Sequence, residues 1–324
     1  MKTFKQNYLN LLTAFLVLLA VGCRADSSQN VRAVAEDDRI TVYAGEQEFT
    51  SYLFGSEHKY PFFYPVTGPV SGRSVTTWDQ EPYPHHSSLY VSLDMIRSEN
   101  VERGNYWQPR HELETGQVFS RNPRIVADDG NRVVIADDLE WVVPATGTMH
   151  FRERRTVTVW APSPDVRVMD FEFEFDVLKD LSISPTGHSF FSARMRPEIA
   201  VGCMDHGPEW APLGTGTIVD SEGNRDESGT REGSAPWAAY YGDNNGVTEG
   251  LAIIQHPGNS YYPGLWVTRD YGFFSPSSFT FNNEPVWMEA GRELHFKYRV
   301  VVFAGDHEEA GIAGWYEDFV GTGS

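Results

Sequence analysis

Alternating apolar and polar positions dominate the sequence between residues 131 and 177. Three segments follow one another there, RVVIADDLEWVVP, TMHFRERRTVTVWAP and VRVMDFEFEFDVL, with the turn residues ATG and SPD between them. Successive side chains of a β-strand point to opposite faces, so a period of two predicts long strands. The short turns predict that the three strands form an antiparallel meander with one buried face and one face in water.

The third segment indicates which face is which. Its phenylalanines, Phe171, Phe173 and Phe175, fall on one face, and an acidic row falls on the other: Asp170, Glu172, Glu174 and Asp176. Large apolar side chains are usually buried, whereas carboxylates are usually solvated. We therefore predict that the phenylalanines enter the core and that the acidic row is a solvated sheet face.

Further strand patterns flank this meander. They are RITVYAG and EFTSYLF before it, and GLAIIQH, GLWVTRDYG and ELHFKYRVVVFAG after it. The long polar section 205–235 predicts a loop. One helix is predicted at the C-terminus, where Asp306 can form a capping box with Glu309 and an apolar stripe follows, made of Ile312, Trp315, Tyr316, Phe319 and Val320. Together these elements predict an all-β protein, a large antiparallel β-sandwich with a short C-terminal helix.

The N-terminus has the pattern of an export signal. A basic start precedes an apolar run at 9–21, which is followed by Gly22 and Cys23. This pattern predicts an exported bacterial lipoprotein of the periplasm or outer membrane, acylated at Cys23; ordinary signal-peptidase cleavage is the alternative. We predict a signal peptide at 1–22, a flexible tether at 23–38 and a single β-sandwich domain at 39–324.

The charge balance restricts the partners. The 324 residues include 45 acidic and 26 basic ones, which gives a formal net charge of −19. Affinity for nucleic acid depends on neutralising phosphates, so no nucleic-acid partner is expected. Contact with a membrane is expected only through the lipid anchor. An anionic ligand would require basic side chains to gather locally, and the sequence leaves the oligomeric state open.

Familiar catalytic motifs do not occur in this sequence: it has no phosphate loop, dinucleotide fingerprint, G-x-S-x-G, H-E-x-x-H or paired C-x-x-C. Four segments are instead dense in side chains that carry chemistry. They are PYPHHSSLY, GHSFFSARMRPE, SAPWAAYYG and QHPGNSYYPGLWVTRDYGFF. They supply the candidate site residues His85, His86, His188, Arg194, Arg196, Trp237, Tyr240, His256, Asn259, Trp266, Arg269, Asp270 and Tyr271.

Structural roles compete for some of these residues. Trp237 and Trp266 belong to a type found more often in a core than on a sugar-binding platform, and the neighbours Arg269 and Asp270 can form a structural ion pair. The adjacent His85 and His86 would point to opposite faces of a regular strand. The prolines around them predict a fixed loop instead, in which both imidazoles can reach one target.

The motifs also resemble a known family. The blocks YPFFYPVTGPVSGRSVT, PHHSSLYVS, SAPWAAYYG, GLAIIQHPGNSYYPGLWVTRDYGFF and LHFKYRVVVFAGD, from Tyr60 to Asp306, are similar to the PmoA-like family of exported bacterial proteins. Ser87 and Tyr90 stand where the family pattern has Arg and Trp. The resemblance implies a β-sandwich of the galactose mutarotase (supersandwich) type and an occurrence in gene clusters for polysaccharide breakdown, beside sulfatases and lyases.

These observations favour a carbohydrate lyase or dehydratase that acts on uronic-acid-containing glycans by β-elimination. The reaction needs a base, an acid and a cation that neutralises the carboxylate. Histidines and a tyrosine are the candidates for base and acid: His85, His86, His256 and Tyr271. The candidate clamps are Arg194, Arg196 and Arg269, and the remaining candidates would contact an anionic oligosaccharide. No cofactor is predicted.

Three alternatives stay open at this stage. A glycoside hydrolase would use two carboxylates, for which Glu198 and Asp270 are candidates. A non-catalytic glycan-binding surface lipoprotein would need only the aromatic residues. A divalent metal could be bound by a histidine cluster, as the minority hypothesis, with the ligands His85, His86, His188 and His256.

Overall fold

Two large antiparallel sheets and one small sheet build the protein. The computed structural model describes residues 28–109, 111–187, 190–202 and 214–321. Within these ranges no helix combines the length and the apolar character that crossing a membrane requires. The antiparallel β-sandwich predicted from the sequence is confirmed.

The first sheet contains eight strands, numbered here in chain order. From edge to edge they are β1 (Val31–Ala35), β2 (Arg39–Ala44), β3 (Gln47–Leu53), β4 (Phe62–Val66), β5 (Leu89–Val91), β14 (Phe191–Arg194), β19 (Phe273–Ser277) and β18 (Leu265–Arg269). The prediction of a flexible tether up to residue 38 is wrong over β1, which pairs with β2 along its whole length. Val31 is fully buried there, and this burial explains why the segment is ordered.

The second sheet contains the predicted meander. Its strands are, in order, β15 (Thr217–Asp220), β16 (Trp237–Asp243), β17 (Thr248–Gln255), β21 (Glu293–Ala304), β12 (Val166–Val177), β11 (Thr148–Ser163), β10 (Val133–Val143) and β8 (Gln117–Ser120), with β9 (Arg124–Asp128) also paired to β10. The antiparallel pairing of β10, β11 and β12 confirms the sequence prediction.

The core lies between these two sheets. The ring of Phe171 lies 4.9 Å from that of Phe191 and 5.4 Å from that of Phe63, both on the first sheet. The acidic row of β12 faces outward, as predicted, and binds basic residues of neighbouring strands. For example, Glu174 accepts a hydrogen bond from Arg154 at 2.9 Å.

A small sheet has the order β20 (Val286–Met288), β13 (Leu181–Ile183), β6 (Ile96–Ser98) and β7 (Val101–Gly104). Helical elements are short: a 3₁₀ turn (Leu113–Thr115), α1 (Asp226–Thr230) and α2 (Ile312–Gly321). The section 205–235 is therefore not the continuous loop that its polarity predicted, since β15 and α1 lie within it.

The C-terminal helix α2 covers the outer face of the second sheet. Asp306 and Glu309 form the predicted capping box: the Asp306 carboxylate accepts the Glu309 N–H at 2.9 Å, and the Asp306 N–H donates to the Glu309 carboxylate at 3.2 Å. The box closes a turn that leads into α2. Ile312 and Phe319 then pack on the sheet against Trp237 and Ile254.

Candidate functional site

A loop places the two adjacent histidines just before a strand of the first sheet. The His86 N–H donates to the Tyr83 carbonyl at 3.0 Å, which closes a turn, and β5 begins only at Leu89. The Tyr60 hydroxyl donates to the His85 carbonyl at 2.5 Å. Because the backbone has not yet entered the sheet at His85 and His86, alternation does not force their side chains apart. Their ring centres are 4.4 Å apart.

The histidines lie on the outer face of the first sheet. In β19, the ring of Phe274 faces the second sheet, where it lies 5.6 Å from the ring of Tyr240 on β16. The next residue along the strand, Phe273, must face the opposite way, and its ring lies 4.7 Å from that of His86. The cluster around His86 is therefore on the side of the first sheet that faces away from the core.

A cavity of about 260 Å³ opens at this cluster. It is lined by Tyr83, His85, His86, Trp107, Gln108, Gly187, Val267, Arg269, Tyr271 and Phe273. We call it the histidine cavity. The ring centre of His86 lies 5.1 Å from that of Tyr83 and 5.7 Å from that of Trp107. Aromatic rings thus surround an imidazole that is only 4% exposed.

Tyr271 contributes a protonated hydroxyl to the cavity. Burial raises the pKa of Tyr271 to about 12 and outweighs the nearby positive charges of Arg194 and Arg269, which lower it. A phenol with this pKa remains neutral at physiological pH and can donate a proton. Its ring lies 4.9 Å from that of Tyr83 and 6.4 Å from that of His86.

Arg269 brings a cation to the same cavity and is held by an ion pair. Its Nη1 lies 2.5 Å from the Glu227 carboxylate. Burial lowers the pKa of Arg269, but the hydrogen bond to Glu227 and the charge of that carboxylate raise it more. Glu227 also accepts the Asp270 N–H at 3.1 Å, and its own N–H donates to the Asp270 carboxylate at 2.8 Å. These bonds fasten α1 to the end of β18 and fix the position of Arg269.

Four of the predicted catalytic and binding residues therefore line one cavity: His85, His86, Arg269 and Tyr271. Arg194 adjoins it, because its guanidinium carbon lies 4.7 Å from the centre of the Tyr271 ring. Asp270 lies between the lining residues Arg269 and Tyr271 in the sequence, yet its carboxylate accepts a backbone N–H of α1. It orders the backbone there instead of lining the cavity.

The structure does not bring His256 or Trp237 to this cavity. Ile254 and His256 are two residues apart at the end of β17, and Ile254 packs in the cluster under α2. The His256 ring lies 5.4 Å from the ring of Phe319, a residue of α2. Trp237 belongs to the same cluster. Both residues are on the outer face of the second sheet, across the sandwich from the histidine cavity.

Other predicted contact residues have structural partners. Trp266 is fully buried and donates to the Ala235 carbonyl at 2.7 Å. The buried Tyr240 hydroxyl donates to the Asp270 carbonyl at 2.7 Å. The Asn259 side-chain amide donates to the Lys297 carbonyl, and its oxygen accepts the Lys297 N–H.

Arg196 pairs with Glu198 at 3.1 Å. The two line a separate cavity of about 360 Å³, so Arg194 and Arg196 do not act on one target. His188 and Cys23 lie outside the described residues.

Sequence reasoning did not single out the other six residues of the lining, namely Tyr83, Trp107, Gln108, Gly187, Val267 and Phe273. Tyr83 lies inside the dense segment PYPHHSSLY, and Phe273 follows the motif RDYG. Both residues could thus have been proposed from the sequence. Only the pairing of β5 with β14 and of β14 with β19 places them side by side.

A neighbouring cavity of about 320 Å³ is lined by Lys59, Tyr60, Trp78 and Ser87, among others. Burial lowers the pKa of Lys59 to about 8. Its ammonium donates to the Glu112 carbonyl at 2.7 Å. Tyr60 links the two cavities, because its hydroxyl binds the loop at His85.

The DUF6807 family, described as a family of unknown function, matches residues 39–317 of this chain. The chain is a member of DUF6807. No curated protein matches it. The resemblance of its motifs to the PmoA-like family stays a prediction for this DUF6807 protein.

Solved structures similar to this DUF6807 protein include a galactose mutarotase related enzyme from Lactobacillus acidophilus, with 8% identity, coverage of 85% of this chain and 97% of the other, and a TM-score of 0.33. A polysaccharide lyase has 10% identity, coverage of 86% and 33%, and a TM-score of 0.34. A mutant of the heparan sulfate lyase HepC from Pedobacter heparinus has 9% identity, coverage of 87% and 36%, and a TM-score of 0.30. The chain thus spans about a third of the length of these lyases. At such identities and TM-scores the likenesses carry no argument about activity.

Among the residues that the structure describes, no three His, Cys, Asp or Glu side chains are grouped as metal ligands. His188, one of the four predicted ligands, is not among them. The minority hypothesis of a divalent metal stays a prediction.

Proposed function

We propose that this DUF6807 protein is an exported carbohydrate lyase or dehydratase that acts on uronic-acid-containing oligosaccharides by β-elimination. The single observation that carries the proposal is the histidine cavity, in which two imidazoles, a phenol with a raised pKa and a guanidinium line about 260 Å³. These groups come from two distant parts of the sequence, a loop before β5 and the end of β18 with the turn that follows it.

Each group has a role that fits its chemistry. One imidazole, of His85 or His86, removes the proton α to the uronate carboxylate. Arg269 binds that carboxylate and stabilises the negative charge that develops on it in the transition state. Tyr271 then donates its proton to the leaving oxygen. Since burial keeps its pKa near 12, the phenol is protonated at neutral pH, as an acid must be at the start of the reaction.

The reaction balances without a cofactor. The base takes the α proton, the electrons of the broken C–H bond form a carbon–carbon double bond, and the β oxygen leaves with the proton from Tyr271. If the leaving oxygen is glycosidic, the chain is cleaved and the protein is a lyase. If the leaving group is a hydroxyl of a terminal sugar, one water is lost and the protein is a dehydratase.

The cavity suits a sugar ring as well as the chemistry. Tyr83 is partly exposed and presents an aromatic surface on which the apolar face of a pyranose can stack. The position on an outer sheet face, beside the cavity at Lys59, leaves room for more than one sugar. Arg269 gives the cavity a guanidinium that is paired with Glu227 on one side, and the guanidinium of Arg194 adjoins it. On a protein of net charge −19, an anionic substrate needs such local cations.

The lining favours elimination over hydrolysis by two carboxylates. As far as its described residues go, the histidine cavity is lined by no Asp or Glu. Of the two carboxylates considered from the sequence, Glu198 pairs with Arg196 in another cavity. Asp270 binds the backbone of α1.

The test is incubation of the purified protein with saturated and with unsaturated uronic oligosaccharides, followed by product mass and by the ultraviolet absorbance of the unsaturated uronate. Cleavage with new unsaturation identifies a lyase, and loss of water without cleavage identifies a dehydratase. Gain of water by the products would replace the proposal with a hydrolase. Binding without any change of mass would leave a glycan-binding protein.

A further inference from the structure

A separate cavity lies beside the small sheet. It has a volume of about 1150 Å³, and Trp287, Arg97, Arg152 and Lys179 are among its lining residues. We call it the small-sheet groove. It shares no lining residue with the histidine cavity, so the chemistry proposed there does not account for it.

Strand register sets Trp287 and Arg97 on one face. Ser182 in β13 lies directly opposite Trp287 in β20 and directly opposite Arg97 in β6. Residues that face each other across neighbouring strands point to the same side of a sheet. The indole and the guanidinium therefore flank the Ser182 hydroxyl, and their Cα atoms are about 10 Å apart, two strand spacings.

Trp287 is unusually exposed for its type. Its exposed fraction is 73%, although tryptophan is the largest side chain and is usually well covered. The neighbouring residue Met288 faces the other way and is buried, which fixes the strand and holds the indole out in the groove. An exposed aromatic ring on a rigid strand is the kind of surface on which a sugar ring stacks.

Basic side chains outnumber acidic ones in the lining of the groove, the reverse of the balance in the whole protein. Arg97, Arg152 and Lys179 are all exposed there, and within the described residues no ion pair joins any of the three to a carboxylate. Glu99 and Asp180 also line the groove. The Asp180 carboxylate is turned to the backbone, where it accepts the N–H of Ala290 at 2.8 Å and keeps its charge, so three cations stand against two carboxylates in the lining.

The strand neighbours of Arg152 do not neutralise it. Glu140 and Asp176 lie opposite it on β10 and β12, but they are bound by other arginines. Glu140 pairs with Arg121 at 2.8 Å, and Asp176 pairs with Arg154 at 3.0 Å. On a chain with 45 acidic and 26 basic residues, this leaves a locally positive groove.

We propose that the small-sheet groove binds a segment of an anionic polysaccharide. One sugar ring stacks on Trp287, and the acidic groups of neighbouring sugars bind Arg97, with Arg152 and Lys179 extending the positive surface along the chain. The choice of polysaccharide as the ligand rests on the proposed function. The observation that an exposed indole lies beside cations without an ion pair does not depend on the proposed function.

The experiment is affinity electrophoresis of the full chain in gels that contain polygalacturonate, alginate or, as the neutral probe, dextran. Trp287→Ala and Arg97→Gln are compared with Val126→Ala and Arg132→Gln, which change an exposed apolar side chain and an exposed arginine elsewhere. We expect each groove variant to weaken binding to an acidic polymer about tenfold. We expect the two control variants and the dextran gels to show no change, and the binding to weaken with salt.

Two results would overturn the proposal. Acidic polymers that bind the wild type and both groove variants equally well would remove the groove as the site. A Trp287-dependent self-association in analytical ultracentrifugation, without polymer binding, would assign the groove to a second copy of this chain. The outcome is separable from that of the proposed function: turnover of short oligosaccharides should be unchanged in Trp287→Ala, and polymer binding without any turnover would end only the lyase proposal.

Discussion

The guanidinium carbon of Arg194 lies 4.7 Å from the centre of the Tyr271 ring, and its Nη1 donates a hydrogen bond to the Tyr271 carbonyl. Arg194 is only 2% exposed and ends β14, whereas Tyr271 is in the turn between β18 and β19. The contact ties this turn to the middle of the first sheet. It fixes the phenol against the ring of Tyr83, at the histidine cavity.

The first prediction concerns the Tyr271 hydroxyl. Tyr271→Phe keeps the ring and its contact with Arg194 but removes the proposed acid, so we expect kcat to fall by about 10²–10⁴-fold with little change in the melting temperature. Steady-state kinetics and a thermal melt measure both. Tyr43→Phe is the matched control, because Tyr43 also lies against an arginine, with the guanidinium carbon of Arg32 4.0 Å from its ring centre. Full turnover by Tyr271→Phe would exclude the hydroxyl as the acid.

The second prediction separates the charge of Arg269 from its ion pair. Arg269→Gln removes the cation that we assign to the substrate carboxylate, so we expect KM for a uronic oligosaccharide to rise by about 10–100-fold, the size of one charge-assisted hydrogen bond. Glu227→Gln keeps Arg269 and a side-chain oxygen that can accept both the guanidinium and the Asp270 N–H, and removes the negative charge of the ion pairs, so KM should not rise. Equal increases of KM in both variants would contradict a direct contact between Arg269 and the substrate, because loss of the ion pair alone would then explain the effect.

The third prediction follows from the position of His256 under α2. His256→Ala should leave kcat and KM unchanged and lower the free energy of unfolding by about 1 kcal/mol through the lost contact with Phe319. His85→Ala and His86→Ala should lower kcat instead, and the larger loss should identify the base. Kinetics on the three variants would contradict the assignment if His256→Ala lost as much activity as the other two.

The fourth prediction concerns stability at low pH. His150 is fully buried, and its ring nitrogens bind the Tyr106 hydroxyl at 2.9 Å and the Ser98 hydroxyl at 3.0 Å. Burial lowers the pKa of His150 from 6.5 to about 4. The unfolded chain therefore takes up a proton at a higher pH than the folded chain does. The contribution of neutral His150 to the free energy of unfolding is complete above pH 6.5. It is lost as the pH drops towards 4, which lowers the free energy of unfolding by up to about 3 kcal/mol.

Denaturant unfolding at a series of pH values measures this effect. His150→Gln is expected to be less stable than the wild type at pH 7, with the difference between the two shrinking from pH 6.5 to pH 4. His295→Gln is the matched control for the loss of a histidine, because His295 is exposed on β21. A constant difference between His150→Gln and the wild type would mean that His150 does not titrate in this window.

The sequence predicted those parts of the fold that depend on local pattern. The meander of β10, β11 and β12 was readable because each strand alternates strictly and the turns are short, and the capping box of Asp306 and Glu309 because its spacing is fixed. The segment of β1 was misjudged as a tether. Its sequence, VRAVA, is short, and only pairing with β2 accounts for its order.

The site was predictable only in part, because local pattern again gives the loops and motifs but not the tertiary packing. The prolines beside His85 and His86 placed them correctly in a loop, and the motif RDYG supplied Arg269 and Tyr271. His256 and Trp237 come from equally dense segments, yet they face α2. A sequence gives the alternation along β17, but which of its two faces meets a helix depends on tertiary packing that no local spacing encodes.

The two sides of the histidine cavity are separated by more than half of the chain and become neighbours only because β14 lies between β5 and β19. Such non-local pairing is intrinsically slow to form, because closing a long loop costs entropy before its contacts are made. A truncated or still growing chain that lacks β18 and β19 therefore has the imidazoles but neither Arg269 nor Tyr271. Any chemistry that needs both sides begins only after β19 has been added to the chain.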